Sequence, residues 1–259
     1  MFRSAYSSSP LKMIRNGVTA ASPPPDYTVA LAGNPNTGKS TVFNNLTGLN
    51  QHTGNWAGKT VAQARGTYVH DGKRVLLVDL PGTYSLLSHS PEEQIARDFI
   101  CFAHPDATVV VADATCLQRN LNLVLQVMEM TSKVVVCLNL IDEAERKGIE
   151  VDCGRLSKEL GVPVVPTAAR SGYGLDNLKE TIDALASGRL STRPLVVRYP
   201  PTIEKEIERL EKQLSPVLAG KLNPRWVALR LLDGDRTIVE SIEKHLGVLI
   251  QSDKRKVPA

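Results

Sequence analysis

Long apolar runs are missing from this chain. The most continuous, Ala107 to Ala112 and Val134 to Leu138, fall far short of the roughly 20 residues that cross a bilayer, so the chain as written is expected to be soluble. Cysteine is scarce as well. The four present, Cys101, Cys116, Cys137 and Cys153, form no CxxC pair and have no histidine at zinc-site spacing. That argues against a disulfide scaffold or a structural zinc module and fits a reduced compartment. A surplus of one charge is also lacking: the 259 residues hold 31 basic and 27 acidic side chains, and from Thr28 to Arg198 the two are equal at 17 each. Nucleic-acid-binding domains usually concentrate basic residues on one face, so no nucleic-acid partner is expected. The small basic excess sits at the ends. Residues 1–26, Ser-rich, broken by Pro23, Pro24 and Pro25 and without the apolar core of a secretory signal, are expected to form a disordered leader.

What is present is alternation. Short apolar runs predict strands at Thr28 to Gly33, Val61 to Val69, Arg74 to Asp79, Ala107 to Asp113, Lys133 to Asn139 and Val162 to Pro166, with helical patterns between them. This order predicts an α/β domain with a mainly parallel six-stranded sheet flanked by helices. Ser90-Pro91-Glu92-Glu93 reads as a capped helix start and Asp152 as another, stopped by Gly161, and a last helix runs from Leu175 to Ala186. After a linker the pattern is purely helical. Ile203, Ile207, Leu210 and Leu214 make one stripe behind a Thr202 cap, Asn223-Pro224 starts a second helix, and Asp235 starts a third with Ile238, Ile242, Leu246 and Leu249 inward. The expected division is a leader at 1–26, a nucleotide domain at 27–190, a linker at 191–199, a small all-helical subdomain at 200–250 and a basic tail at 251–259. An alternative is that these helices pack onto the α/β domain and extend it.

Gly33-Asn34-Pro35-Asn36-Thr37-Gly38-Lys39-Ser40 follows a strand, precedes a helix and meets G-x-x-x-x-G-K-[ST] at every fixed position. Its glycines let successive backbone N–H groups face a phosphate chain, and the helix continuing through Thr41 adds its positive end. Lys39 is expected on the β and γ phosphates and Ser40 on Mg²⁺. In Asp79-Leu80-Pro81-Gly82, the carboxylate suits Mg²⁺ held through water and the Gly82 N–H suits a γ phosphate. Asn139-Leu140-Ile141-Asp142 offers a carboxylate that accepts from both the ring N–H and the exocyclic amine of guanine, a donor pair adenine lacks. Leu140 stands where many such motifs carry Lys, which keeps apolar cover over the base but relaxes selectivity, leaving room for some activity on other nucleoside triphosphates. Thr167-Ala168-Ala169 lies where a loop N–H reaches a guanine carbonyl. Together these motifs predict a P-loop GTPase, Ras-like in fold, with its site at the carboxyl ends of the strands. Thr83 follows Gly82, where Ras-like enzymes carry a water-orienting Gln, so another group must neutralise the transition-state charge.

Gly33 to Asn36, the stretch Gln51-His52-Thr53-Gly54-Asn55-Trp56-Ala57-Gly58-Lys59-Thr60-Val61, and Asp79 to Leu86 together resemble the cytosolic N-terminal head of ferrous iron transport protein B, a bacterial polytopic membrane protein. The resemblance is close from Thr28 to Arg189 and general from Tyr199 to Val248. It departs at Lys59, where the family usually has an apolar residue. It implies a K⁺-activated GTPase whose nucleotide state regulates Fe²⁺ uptake. Thr60 would close on Mg²⁺ and the γ phosphate, flanked by Gly58, Lys59, Val61 and Ala62. Asn36 would ligate K⁺ with backbone carbonyls of the loop around Gly54 to Trp56, and Asn36, Lys39, Thr60 and Gly82 would form the catalytic group. The helical segment would slow nucleotide release. Implied partners are GTP and GDP, a membrane-embedded iron-transport domain of the same protein, small cytosolic accessory transport proteins and an oligomer. The chain would be the detached head of a longer protein at the cytoplasmic face of the bacterial inner membrane, with Lys254-Arg255-Lys256 near the lipid.

Two other functions fit the same motifs. One is a regulatory switch with negligible turnover, the other a ribosome-assembly GTPase, although the helical tail lacks the interleaved aromatic and basic residues of an RNA binder. Trp56 also reads as an aromatic anchor for its loop. His52, His70, His89 and His104 share no metal-binding spacing and read as surface or loop residues, and Asp113 and the cysteines read as structural.

Overall fold

The computed structural model describes residues 24–48, 51–56, 61–87 and 90–248. Seven strands form one sheet: β1 (Tyr27–Gly33), β2 (Gln51–Asn55), β3 (Ala62–His70), β4 (Lys73–Asp79), β5 (Ala107–Asp113), β6 (Val134–Asn139) and β7 (Val164–Pro166). Their order is β2-β3-β4-β1-β5-β6-β7. Parallel pairing runs from β4 across β1, β5 and β6 to β7, whereas β2, β3 and β4 pair antiparallel. The sequence predicts six strands and the described residues hold seven, β2 being the one without a sequence signal. Gln-His-Thr-Gly-Asn has no apolar alternation, because this strand lies at the sheet edge and takes its order from pairing with Ala62 to Gly66. Asp71 and Gly72, at φ of 46° and 74°, make the tight two-residue turn between β3 and β4.

The parallel strands are buried on both faces, and successive residues sort between two cores. Val29, Leu31, Val109 and Val111 pack with α1 (Lys39–Thr47) and α6 (Leu175–Ala186). Ala30, Val110, Val136 and Leu138 pack with α2 (Pro91–Phe102) and α3 (Leu117–Met130). The short helix α4 (Ile141–Arg146) lies against the turn after β5, and α5 (Cys153–Leu160) packs on β7. Ser90 caps α2 by accepting from the Glu93 N–H, and Asp152 caps α5 by accepting from the Arg155 N–H. Both starts are where the sequence puts them.

Three helices follow, α7 (Pro201–Leu218), α8 (Pro224–Leu232) and α9 (Arg236–Leu246). The Thr202 cap is corrected: the cap position is Pro200, two residues earlier, and α7 begins at Pro201. Two prolines set φ in advance, Pro201 brings no N–H to the first turn, and the Ile203 N–H is taken by the Pro200 carbonyl at 2.9 Å. Glu204 instead reaches back to accept from the Tyr199 N–H at 2.8 Å. Asn223 and Asp235 cap α8 and α9 as expected. Leu249 lies outside the described residues. These helices continue the α2–α3 core: Ile207, Leu214, Trp226, Val227, Ile238 and Ile242 belong to the same buried cluster as Phe99, Ile100 and Val127. A polar knot fastens the seam. The buried Arg97 of α2 donates to Thr237 Oγ1 at 2.7 Å and to Ser241 Oγ at 2.9 Å, and pairs with Asp98 and Asp235. The connecting segment is pinned too, with the Arg193 N–H on the Gly161 carbonyl, the Leu195 N–H on the Leu160 carbonyl, and Arg225 Nη2 donating to the Val197 carbonyl.

Candidate functional site

The carboxyl ends of β1, β4, β6 and β7 bring four predicted loops to one edge of the sheet. The phosphate loop leaves β1 at Gly33, which must be glycine because a Cβ there would stand 2.8 Å from the Val111 carbonyl oxygen. Asn34 and Thr37 are buried, with Thr37 Oγ1 donating to the Asn34 carbonyl at 2.9 Å, while Pro35, Asn36, Ser40 and Thr41 are exposed. Asn36 holds φ 67°, a left-handed conformation asparagine tolerates better than most residues. Gly38, also left-handed at 78°, sits where a Cβ would be 2.3 Å from Asn139 Nδ2.

That contact marks the junction of the site. Asn139, buried at the end of β6, donates from Nδ2 to the Thr37 carbonyl at 3.0 Å. Its Oδ1 accepts from the Ala169 N–H at 3.0 Å and from Thr167 Oγ1 at 3.2 Å. One carboxamide thus ties the phosphate loop to the 167–169 loop, and Asn45 Nδ2 of α1 adds a bond to the Ala169 carbonyl. Sequence reading found Asn139 through its motif but not this bracing role. The 167–169 loop is corrected in one respect. All three of its N–H groups are engaged within the protein, Thr167 with the Leu138 carbonyl, Ala168 with the Tyr173 carbonyl and Ala169 with Asn139, so none stands free toward a base in this conformation. Leu140, at φ 62°, starts α4 and turns the chain so that Ile141 and Asp142 follow at the rim. The Asp142 side chain is about half exposed, with Arg146 nearby at 3.7 Å.

Lys39 forms an ion pair with Asp79 and donates to the Leu80 carbonyl at 2.8 Å. Burial pushes the Asp79 carboxyl above the ordinary aspartate range, against the pull of Lys39. Gly82 is exposed and lies against the phosphate loop, with a would-be Cβ 3.6 Å from the Pro35 nitrogen, and the Thr83 N–H reaches the Gly33 carbonyl. The Asp79 carboxylate and the Ser40 hydroxyl are hard oxygen donors, the set Mg²⁺ prefers. Val61 and Ala62 lead into β3, but Gly58, Lys59 and Thr60 lie outside the described residues. The Gly54 to Trp56 segment is corrected from a loop: Gly54 and Asn55 belong to β2, paired with Gln63 and Ala62, and the Trp56 N–H bonds the Val61 carbonyl. The Trp56 ring meets Phe99 of α2 edge-on at 5.6 Å, which anchors this end of the hairpin.

A central parallel sheet with a G-x-x-x-x-G-K-S loop between β1 and α1, and with aspartate, asparagine and small-residue loops at the neighbouring strand ends, defines a P-loop GTPase fold. Residues 27–182 match the family described as Ferrous iron transport protein B, and residues 199–257 match the FeoB cytosolic helical domain. The chain belongs to this family. It is similar to the cytosolic domain of the T. maritima FeoB iron transporter in a GDP form, at 37% identity and a TM-score of 0.77, covering 88% of this chain and 89% of that one. The cytosolic domain of L. pneumophila FeoB is similar at 35% identity and a TM-score of 0.76, covering 85% and 86%. The Fe(2+) transport protein A/Fe(2+) transporter FeoB fusion protein of Porphyromonas gingivalis is 40% identical over 229 residues, which are 86% of this chain and 27% of that protein. The chain therefore spans about a quarter of the length of the curated relatives it matches. Among the described residues no helix is long and apolar enough to cross a membrane.

Proposed function

We propose that this chain binds and hydrolyses GTP at the cytoplasmic face of a bacterial inner membrane, as the head of a ferrous iron transporter whose uptake its nucleotide state regulates. The observation that carries the reading is the Asn139 brace, which holds the phosphate loop and the 167–169 loop in fixed relation and so gives the phosphate and base ends of a nucleotide one rigid frame. Backbone N–H groups from Gly33 to Ser40 cradle the phosphates, and Lys39 exchanges its partner Asp79 for them. Asp142 selects guanine, with Leu140 as apolar cover. Ser40, Thr60 and, through water, Asp79 hold Mg²⁺, which supplies charge neutralisation at the phosphates.

Thr83 supplies no water-orienting amide, so the charge in the transition state needs another source. Asn36 meets this requirement as a K⁺ ligand, because its left-handed turn exposes a carboxamide at the loop tip; backbone carbonyls near Gly54 and Trp56 complete the shell. The division at 27–190 and 200–250 goes with this reading, the helical part acting on nucleotide release through the Arg97 seam. The fused transport protein A of the Porphyromonas relative supports a small accessory protein as a partner of the full transporter. GTP and ATP hydrolysis measured in KCl and in NaCl tests the reading. Turnover of GTP is expected to exceed that of ATP and to rise in KCl, and Asn36→Ala is expected to remove the salt difference. Equal rates in both salts would remove the K⁺ role, rates that stay slow in KCl would leave the regulatory switch with negligible turnover, and a chain that fails to bind GTP would overturn the proposal as a whole.

A further inference from the structure

At the opposite end of the sheet from the nucleotide loops, the β3–β4 turn brings two neighbouring side chains, His70 and Asp71, up to Glu180, which lies far away in sequence. His70 ends β3 and pairs in register with Lys73 at the start of β4, while Asp79 ends β4. The turn therefore lies about 20 Å from Asp79, given ~3.3 Å per strand residue. His70 Nε2 stands 3.3 Å from Glu180 Oε2 on α6, and one donor atom each of His70, Asp71 and Glu180 lie within 4.8 Å of one another. Sequence spacing marks His70 as a surface or loop residue with no metal partner at hand, because Glu180 is 110 positions away.

We infer that His70, Asp71 and Glu180 form a binding site for a late first-row divalent cation, separate from the nucleotide's Mg²⁺ and independent of the nucleotide reading. One imidazole and two carboxylates are a donor set that Zn²⁺, Co²⁺ and Fe²⁺ accept and that Mg²⁺ and Ca²⁺, which favour oxygen alone, do not seek. Ligands about 2.1 Å from a tetrahedral ion stand ~3.4 Å apart, so the His70–Glu180 separation already suits one ion, and the carboxylate of Asp71 closes the remainder by side-chain rotation. Each residue sits on a support that aims it. His70 is fixed by the ladder and only 20% exposed at its side chain, Asp71 by the left-handed turn, and Glu180 by Arg189, whose Nη1 donates to Oε1 at 3.0 Å and leaves Oε2 toward the imidazole. Arg189 and Lys73 both also pair with the buried Asp183, which keeps these two cations engaged beside the site. Such an outer layer of hydrogen bonds commonly orients metal-binding carboxylates. The remaining positions face solvent, leaving room for water or an exogenous ligand. A bound ion would clamp the β3–β4 hairpin to α6.

Zn²⁺ titration of the chelator-stripped protein by calorimetry tests this, with thermal melting in parallel. The parent is expected to take up one more equivalent than His70→Ala, and Zn²⁺ is expected to raise the melting temperature of the parent but not of that variant. Glu180→Gln, a change on an exposed helix face, is expected to weaken the same event at least tenfold without altering the melting curve in the absence of metal. Asp71→Asn, which keeps the left-handed turn, is expected to weaken it similarly. Isotherms of His70→Ala and Glu180→Gln that superimpose on the parent's would overturn the site and leave the cluster as an ion-pair network alone.

Discussion

Asn139 does two things with one side chain. Its motif position predicts contact with a base, yet its side-chain hydrogen bonds run to Thr37, Thr167 and Ala169, making it the strut between loops. Gly38 exists to let that strut in. An alanine there would need a left-handed backbone and would place a methyl group 2.3 Å from the Asn139 amide. Gly38→Ala is thus expected to break the Asn139–Thr37 bond and leave buried polar groups unpaired, at a cost of about 1–3 kcal/mol. In a stopped-flow assay with a fluorescent GDP analogue, dissociation should accelerate by roughly tenfold or more. An unchanged rate would show that the strut does not govern nucleotide affinity. The motif residues were legible because phosphate binding dictates residue type at fixed spacing. The strut was not legible, since nothing in the N-x-x-D pattern says where the amide of Asn139 points when Thr37 lies 102 residues earlier.

The elements that the sequence announced are those with strong local signals. Ser90-Pro91, Asp152, Asn223-Pro224 and Asp235 all cap where they were read, because a cap needs only the next three residues. The edge strand β2 carries no such signal, and neither does the start of α7, where the Pro200-Pro201 pair overrides Thr202. The latter start has an electrostatic consequence. Glu204 accepts from Tyr199 N–H and is gripped by Arg225 of α8 at 2.7 Å and 2.9 Å, and the guanidinium of Arg225 draws its carboxyl down to about 2. A carboxyl with a depressed folded value stabilises the protein fully above its unfolded value, ~4.3, and loses that contribution as pH falls toward about 2. Glu204→Gln is therefore expected to melt lower than the parent at pH 7, with the gap narrowing below about pH 4.5. A gap that stays constant from pH 7 to pH 3 would remove Arg225–Glu204 as the cause.

At the scale of the whole molecule, no break in the apolar core separates the helices from the nucleotide domain among the described residues. A separate small subdomain and helices packed onto the sheet are the two readings the sequence allows; in the structure α8 packs against α7 and against α9, and the three share one buried cluster with α2, α3 and the sheet. Helical periodicity reveals that a stripe is buried but not against what, so sequence alone left the two open. A continuous core and the buried Arg97 knot are expected to make the parts melt together. Urea unfolding followed by tryptophan fluorescence, which reports Trp56 at the hairpin end and Trp226 in α8, is expected to coincide with far-UV circular dichroism in one transition. Two separated midpoints would show that the seam is weaker than its burial implies. The pinned connecting segment adds a kinetic consequence. Because residues 193–197 are already fastened on both sides, the helices are presented to the nucleotide domain at an effective concentration that a slack tether of the same length would not reach. Any opening of the seam is then an intramolecular event that reverses quickly, which suits a joint meant to flex and reclose rather than to part.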